Sequence, residues 1–133
     1  MKQEMSAGGI IYIEEKKQIN FLLIKSSYWG FPKGAIEQNE TPERAAKREI
    51  KEETNLEVKF IPGFLYKQDW FYKMNDQLIK KNATFFIAKI PIEDAIKVRT
   101  TNKHTGLSEE HTAYQWVTYE EALKLIKIKS NRD

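Results

Sequence analysis

The residues best suited to chemistry are acidic and closely spaced: seven glutamates fall between Glu37 and Glu57, within 21 residues. The stretch holding most of them carries helix signals. Thr41 is a favoured N-cap, Pro42 follows at the first helical position, and Asn55 stands where a left-handed cap would end a helix after Thr54. With Ala45 taken as zero, Glu49 falls near about 40°, Glu53 near about 80° and Glu52 near about 340°. Three carboxylates thus share an arc of about 100°, directly beside the apolar stripe of Ala46 and Ile50. A solvated helix turns its acids away from its apolar stripe, whereas here Arg44, Lys47 and Lys51 take the far side. Like charges at this spacing repel by about a few tenths of a kcal/mol per pair, so a positive group is expected to offset them. Oxygen-only donors at this density suit Mg²⁺ or Mn²⁺, which keep waters and bind substrate phosphate as well. On geometry alone, an acidic surface helix is the competing reading.

The remaining charge agrees with a polyanionic partner without requiring one. The net charge is +3, from 22 basic and 19 acidic residues, too mild to demand nucleic acid. From Lys59 to Lys103, however, nine basic residues face four acids. An acid-rich segment beside a lysine-rich one suits a metal site that handles a polyanion; on composition alone, two differently solvated faces are the better reading.

These residues need a scaffold, and 133 residues with 41% apolar and 31% charged types fit one soluble globular domain, 1–133. The absence of cysteine removes disulfides, thiol catalysis, iron–sulfur clusters and thiolate zinc sites. No apolar run reaches the roughly 18 residues of a membrane span. The N-terminal apolar stretch meets charge at Glu14, too soon for a secretory signal, so a cytoplasmic location is expected. Ile10–Ile13 and Phe21–Ile24 predict a hairpin across the charged stretch between them. Ser26–Gly34 predicts a loop, and Thr41 to Thr54 the helix. Leu56–Tyr72 and Gln77–Ile90 predict strand-rich segments around a turn at Met74–Asp76. A polar loop over Pro91–Thr112, a strand at Tyr114–Val117 and an amphipathic helix at Tyr119–Ile128 complete a mixed sheet packed between helices, an α+β arrangement.

From Gly34 the chain reads GAIEQNETPERAAKREIKEETNL. This resembles the Nudix box, with matches at Gly34, Glu40, Arg48, Glu49, Ile50, Glu52, Glu53 and Leu56; Asn55 alone departs, standing where the box ends on glycine. The resemblance implies the Nudix fold, a mixed sheet sandwiched between helices, and hydrolysis of a phosphoanhydride. It implies Glu49, Glu52 and Glu53 as ligands of Mg²⁺, for which Mn²⁺ substitutes, together with the carbonyl of Lys33. Glu49, Glu53 and Arg48 would form the catalytic group, Arg48 by holding the glutamates in place, with Glu40 in a supporting role beside Gly34.

Outside the box the chain is similar to the asymmetrical diadenosine tetraphosphate hydrolases within that family. The similarity rests on SAGGIIY, the Trp-x-x-Pro-Lys-Gly approach from Trp29 to Gly34, the aromatics and Lys80-Lys81 after Trp70, and LSEEHTAYQWVTYEEAL. It implies Glu110 as a fourth carboxylate at the metal, with Glu109 as rival, and Lys33 and Lys81 on the phosphate chain. Tyr72 and Tyr114 would sandwich an adenine, Trp29 would support the loop, Trp116 would be core, His111 would orient its loop, and His104 would lie on the surface. The leading expectation is a nucleotide substrate with a polyphosphate chain, a dinucleoside tetraphosphate split into triphosphate and monophosphate. Removal of pyrophosphate from the 5′ end of RNA is the alternative enzyme reading. A non-catalytic nucleotide-binding module is a third, opposed by the intact glutamates.

Overall fold

The computed structural model describes residues 1–25, 28–99 and 114–132, with side chains through residue 126. The chain begins with two long antiparallel strands, β1 (Lys2–Glu15) and β2 (Gln18–Lys25). Their turn is Lys16-Lys17, with φ of 51° and 67°, the doubly left-handed geometry whose twist suits a two-residue hairpin. β1 begins eight residues before the predicted Ile10, because its first half pairs with strands that arrive much later in the chain. Two short strands follow in place of the predicted loop, β3 (Trp29–Gly30) inside it and β4 (Lys33–Ala35) running one residue past its end. Helix α1 (Pro42–Thr54) is bounded as its end signals require: Thr41 accepts from the Arg44 amide at 3.2 Å, and Asn55 is left-handed at φ 70°. Leu56 to Phe64 is irregular rather than strand, and β5 (Leu65–Met74) and β6 (Gln77–Lys89) form a second hairpin across Asn75-Asp76. A 3₁₀ helix, Ile92–Lys97, lies in the predicted polar loop. β7 (Tyr114–Val117) and α2 (Tyr119–Arg132) close the described chain, α2 continuing past the predicted Ile128.

The sheet is mixed. β1 runs parallel to β6 from Lys2 opposite Ile79 to Tyr12 opposite Lys89, β5 flanks β6 on the far side, and β2, β4 and β7 are antiparallel to their neighbours. Pleating divides the side chains between two faces. On one face α1 lays Ala45, Ala46 and Ile50, all fully buried, against Ala7, Ile11 and Leu22. On the other, Ala122 of α2 packs on Leu23 and Val117. The sheet therefore stands between two helices, as the box resemblance implied. No helix among the described residues is long and apolar enough to cross a membrane.

Candidate active site

The glutamate arc forms because α1 buries the stripe next to it. Glu49 has 3% of its surface exposed and Glu53 9%, whereas Glu52 lies at the rim. Arg48 is the positive group that the arc needs. Its guanidinium grips Glu40 with two bonds, Nε to Oε2 at 2.7 Å and Nη2 to Oε1 at 2.9 Å. Nη1 donates to Glu49 at 3.0 Å and to Glu52 at 3.3 Å, and Nη2 also donates to the Ala35 carbonyl at 3.0 Å. A planar fork reaches five acceptors in this way where a lysine ammonium could not. Hydrogen bonds from Arg48 and from the Glu37 amide hold the Glu40 carboxyl down to about 2, and the carboxylates of Glu40, Glu52 and Glu49 push Arg48 above its ordinary range. The pair is therefore charged at any pH where the protein works.

Glu49 is aimed by Gly34. A Cβ on Gly34 would lie 2.1 Å from Glu49 Cδ and 2.3 Å from each carboxylate oxygen, so only glycine leaves room for that carboxylate against β4. Gly8 admits β4 to the sheet in the same way: its missing Cβ would sit 2.0 Å from the Pro32 carbonyl, which accepts from the Gly9 amide at 3.0 Å. Among the described residues no three acidic or histidine side chains converge closely enough to ligate one ion, since Glu49 and Glu52 are both turned toward Arg48 Nη1. The donor chemistry nevertheless fits a hard divalent cation: three carboxylates on one helix arc, one of them seated against a bare glycine backbone, and no nitrogen or sulfur ligand. Glu110, Glu109, His104 and His111 lie outside the described residues.

On the opposite sheet face, a cleft of about 760 Å³ opens between the strands and α2. Its walls are aromatic, including Trp29, Phe31, Tyr66, Trp70 and Tyr119, and Lys33 is its cation. Two ammonium groups approach the Trp70 ring, Lys33 Nζ at 5.9 Å and Lys81 Nζ at 5.8 Å from its centre. Lys81 is the direct cross-strand neighbour of Trp70, and Lys33 reaches across the bare backbone of Gly8. Both lysines named for the phosphate chain thus meet at one ring.

The register separates the two tyrosines expected to sandwich a base. Tyr72 shares the cleft face with Trp70, but it lies one row beyond the cleft and its hydroxyl donates to Glu4 at 2.8 Å. That bond to an acidic acceptor raises the Tyr72 pKa. Tyr114 pairs with Ile24, which puts it on the α1 face with Trp116. Two rings on opposite faces of a sheet cannot stack on one base, and this corrects the expected sandwich. Trp70 is the residue that sequence reasoning passed over; its signal was the cross-strand step to Lys81, visible only once the second hairpin's register is known. Trp29, expected only to support its loop, lines the cleft, and Trp116 packs partly buried against the core as expected.

Comparison with known proteins shows the family and the fold. The family profile described as the NUDIX domain matches residues 2–133. The chain is 30% identical over 122 residues to the asymmetrical bis(5′-nucleosyl)-tetraphosphatase of Mus musculus, covering 86% of this chain and 75% of that protein. It is 28% identical over 125 residues to an RNA pyrophosphohydrolase of Hydrogenovibrio crunogenus, covering 86% and 73%. Among solved structures, a C. elegans Ap4A hydrolase superposes with a TM-score of 0.71 at 25% identity, over 96% of this chain and 88% of that one.

Proposed function

The chain belongs to the NUDIX domain family and is a Nudix pyrophosphohydrolase, and from that premise we propose that it splits dinucleoside tetraphosphates asymmetrically, into a nucleoside triphosphate and a nucleoside monophosphate. One observation carries the reading. Consecutive residues of β4 serve two sites, Lys33 facing the aromatic cleft and Gly34 facing the glutamate helix. A substrate held in the cleft by one base therefore has its phosphate chain directed over β4 toward the carboxylates.

Trp70 stacks on the base, a contact worth about 1–3 kcal/mol. Lys33 and Lys81, poised over the same ring, hold the nearest phosphates. Glu49, Glu52, Glu53 and the Lys33 carbonyl would hold Mg²⁺, joined by Glu110. When bound, Mg²⁺ or Mn²⁺ supplies positive charge to the phosphate oxygens and acidifies water. Arg48 is a positioning residue: it touches the carboxylates, and its own charge is fixed by Glu40. A carboxylate of the arc takes the proton from the attacking water. The water oxygen bonds to the fourth phosphorus from the gripped base, the bridging P–O bond breaks, and the nucleoside triphosphate leaves with the electron pair. A cytoplasmic location accords with such a substrate.

Hydrolysis of diadenosine tetraphosphate in water labelled with heavy oxygen tests the reading. ATP and AMP are expected, with the label in AMP. Two molecules of ADP would overturn it. The second reading, release of pyrophosphate from 5′-triphosphorylated RNA, draws on the RNA pyrophosphohydrolase relative and on the lysine-rich second hairpin. Inertness toward every dinucleoside polyphosphate, with rapid pyrophosphate release from RNA, would establish that alternative. Failure on both substrates with Mg²⁺ present would favour a non-catalytic nucleotide-binding module.

A further inference from the structure

The cleft is walled mainly by apolar and aromatic side chains, and Gln68 is the only carboxamide among the described residues that line it. The sheet register gives that side chain its place. On the cleft face, residues stand in cross-strand rows. One row holds Trp70, Lys81 and Glu4, and another, four residues away along β5, holds Tyr66, Phe85 and Gly8. Between them runs a row of small, buried residues, Ala83 and Ser6, which ends at β5 on Gln68. The middle row is therefore a trough between two rows that carry rings, with Gln68 at its β5 end.

Lys33 enters from the opposite end. It belongs to β4, on the far side of β1 from β6, and its ammonium reaches back to 5.9 Å from the centre of the Trp70 ring. A base stacked on Trp70 with its phosphates at Lys33 turns its far edge toward β5, where Gln68 stands. Residues two apart on a strand are about 7 Å apart, a gap that a glutamine side chain and the edge of a base span together. The other aromatic neighbours on β5 are less suited. Tyr72 is bonded to Glu4 and lies beyond the cleft, and Tyr66 stands four residues from Trp70, about 14 Å away. Among the described residues no other side chain hydrogen-bonds the Gln68 carboxamide.

We infer that Gln68 reads the base: its carboxamide hydrogen-bonds the edge of the nucleobase stacked on Trp70. The inference rests on the cleft holding a base, as in the proposed function. A carboxamide presents one donor and one acceptor side by side, which match the exocyclic N–H and a ring nitrogen of adenine. Turned over, it matches the O6 and ring N–H of guanine. A carboxylate presents acceptors alone, so it pairs with two N–H groups of guanine but with only one group of adenine. Equilibrium titration with ATP and GTP analogues that carry a methylene in place of the α,β-bridging oxygen, in Mg²⁺, measures base reading without turnover. Gln68→Glu should shift the ratio of the two dissociation constants toward guanine by about 5- to 150-fold, the usual worth of a bidentate base contact. The added charge repels both triphosphates alike and cancels in the ratio, which each variant reports internally even if partly destabilised. Gln68→Leu keeps the bulk and removes both polar groups; it should weaken both analogues at least fivefold and leave their ratio within threefold of wild type. A Gln68→Glu ratio within threefold of wild type, or a Gln68→Leu variant that binds both analogues as wild type does, would overturn the inference. Cleavage of diadenosine tetraphosphate, followed alongside, keeps the two readings apart. ATP and AMP with an unmoved ratio would sink base reading by Gln68 alone, whereas two ADP with a shifted ratio would sink asymmetric cleavage alone.

Discussion

Gly34→Ala isolates the aim of one carboxylate from the stability of the fold. The backbone of Gly34 lies outside the left-handed region, so alanine adopts it without strain. The added methyl meets Glu49 Cδ at 2.1 Å, about 1.3 Å short of ordinary contact at 3.4 Å. α1 cannot retreat, because Ala45, Ala46 and Ile50 are fully buried behind it. The flexible end of Glu49 is what moves, carrying its oxygens away from β4 and straining their bond to Arg48. Overpacking relieved by a side-chain tip sits at the low end of its usual cost, about 1 kcal/mol, a shift of a few degrees in Tm. Displacing a catalytic group by about 1 Å costs on the order of 10²-fold in rate. The expected result is a kcat for diadenosine tetraphosphate lowered about 10²-fold, with KM and Tm close to wild type and a higher requirement for Mg²⁺. Steady-state kinetics over a Mg²⁺ series and a thermal melt on the same samples measure all of this. A kcat within threefold of wild type, or a melt lowered in proportion to activity, would refute the argument that Gly34 exists to seat Glu49.

The other expectations address the base, the proton and the acid limb of stability. Trp70→Ala should raise KM about 5- to 150-fold through lost stacking while cleavage stays at the same phosphate, and Tyr72→Phe, which loses only the bond to Glu4, should leave KM within about threefold. The opposite ranking in a side-by-side assay would return the base to Tyr72. Glu53→Gln keeps shape and removes charge at a buried position of the arc; kcat should fall about 10³-fold, roughly 4 kcal/mol of transition-state stabilisation, and a variant within tenfold of wild type would remove Glu53 from the chemistry. For Glu40 the folded pKa, about 2, lies below its ordinary value of 4.5, so its contribution is complete above about pH 5 and is lost as pH falls toward 2. The Tm difference between wild type and Glu40→Gln should therefore be largest near neutrality and close on acidification through that window; a gap that widens with acid would reverse the assignment.

What could be read in the residues alone is what depends on near neighbours. The limits of α1 follow from Thr41, Pro42 and Asn55, whose effects act within one turn, and the arc of Glu49, Glu52 and Glu53 follows from the helix period. The hairpin turns and the amphipathic closing helix are local in the same sense. Even the departure at Asn55 kept its backbone role, since asparagine tolerates the left-handed cap. Its second role did not show: Asn55 Nδ2 donates to the Lys97 carbonyl at 3.0 Å, a tie between the end of α1 and the 3₁₀ helix that glycine would lack. The cleft belongs wholly to the tertiary structure. It is assembled from all of β1 to β6 and α2, and it exists because β1 pairs in parallel with a strand 77 residues later, Lys2 opposite Ile79. That pairing sets which aromatics share a face. Trp70 lies in the cleft with two lysines over its ring, Tyr72 is spent on Glu4, and Tyr114 is carried to the other side of the sheet. Spacing within a segment reveals period but not register, because register is decided by hydrogen bonds to partners far away in the chain.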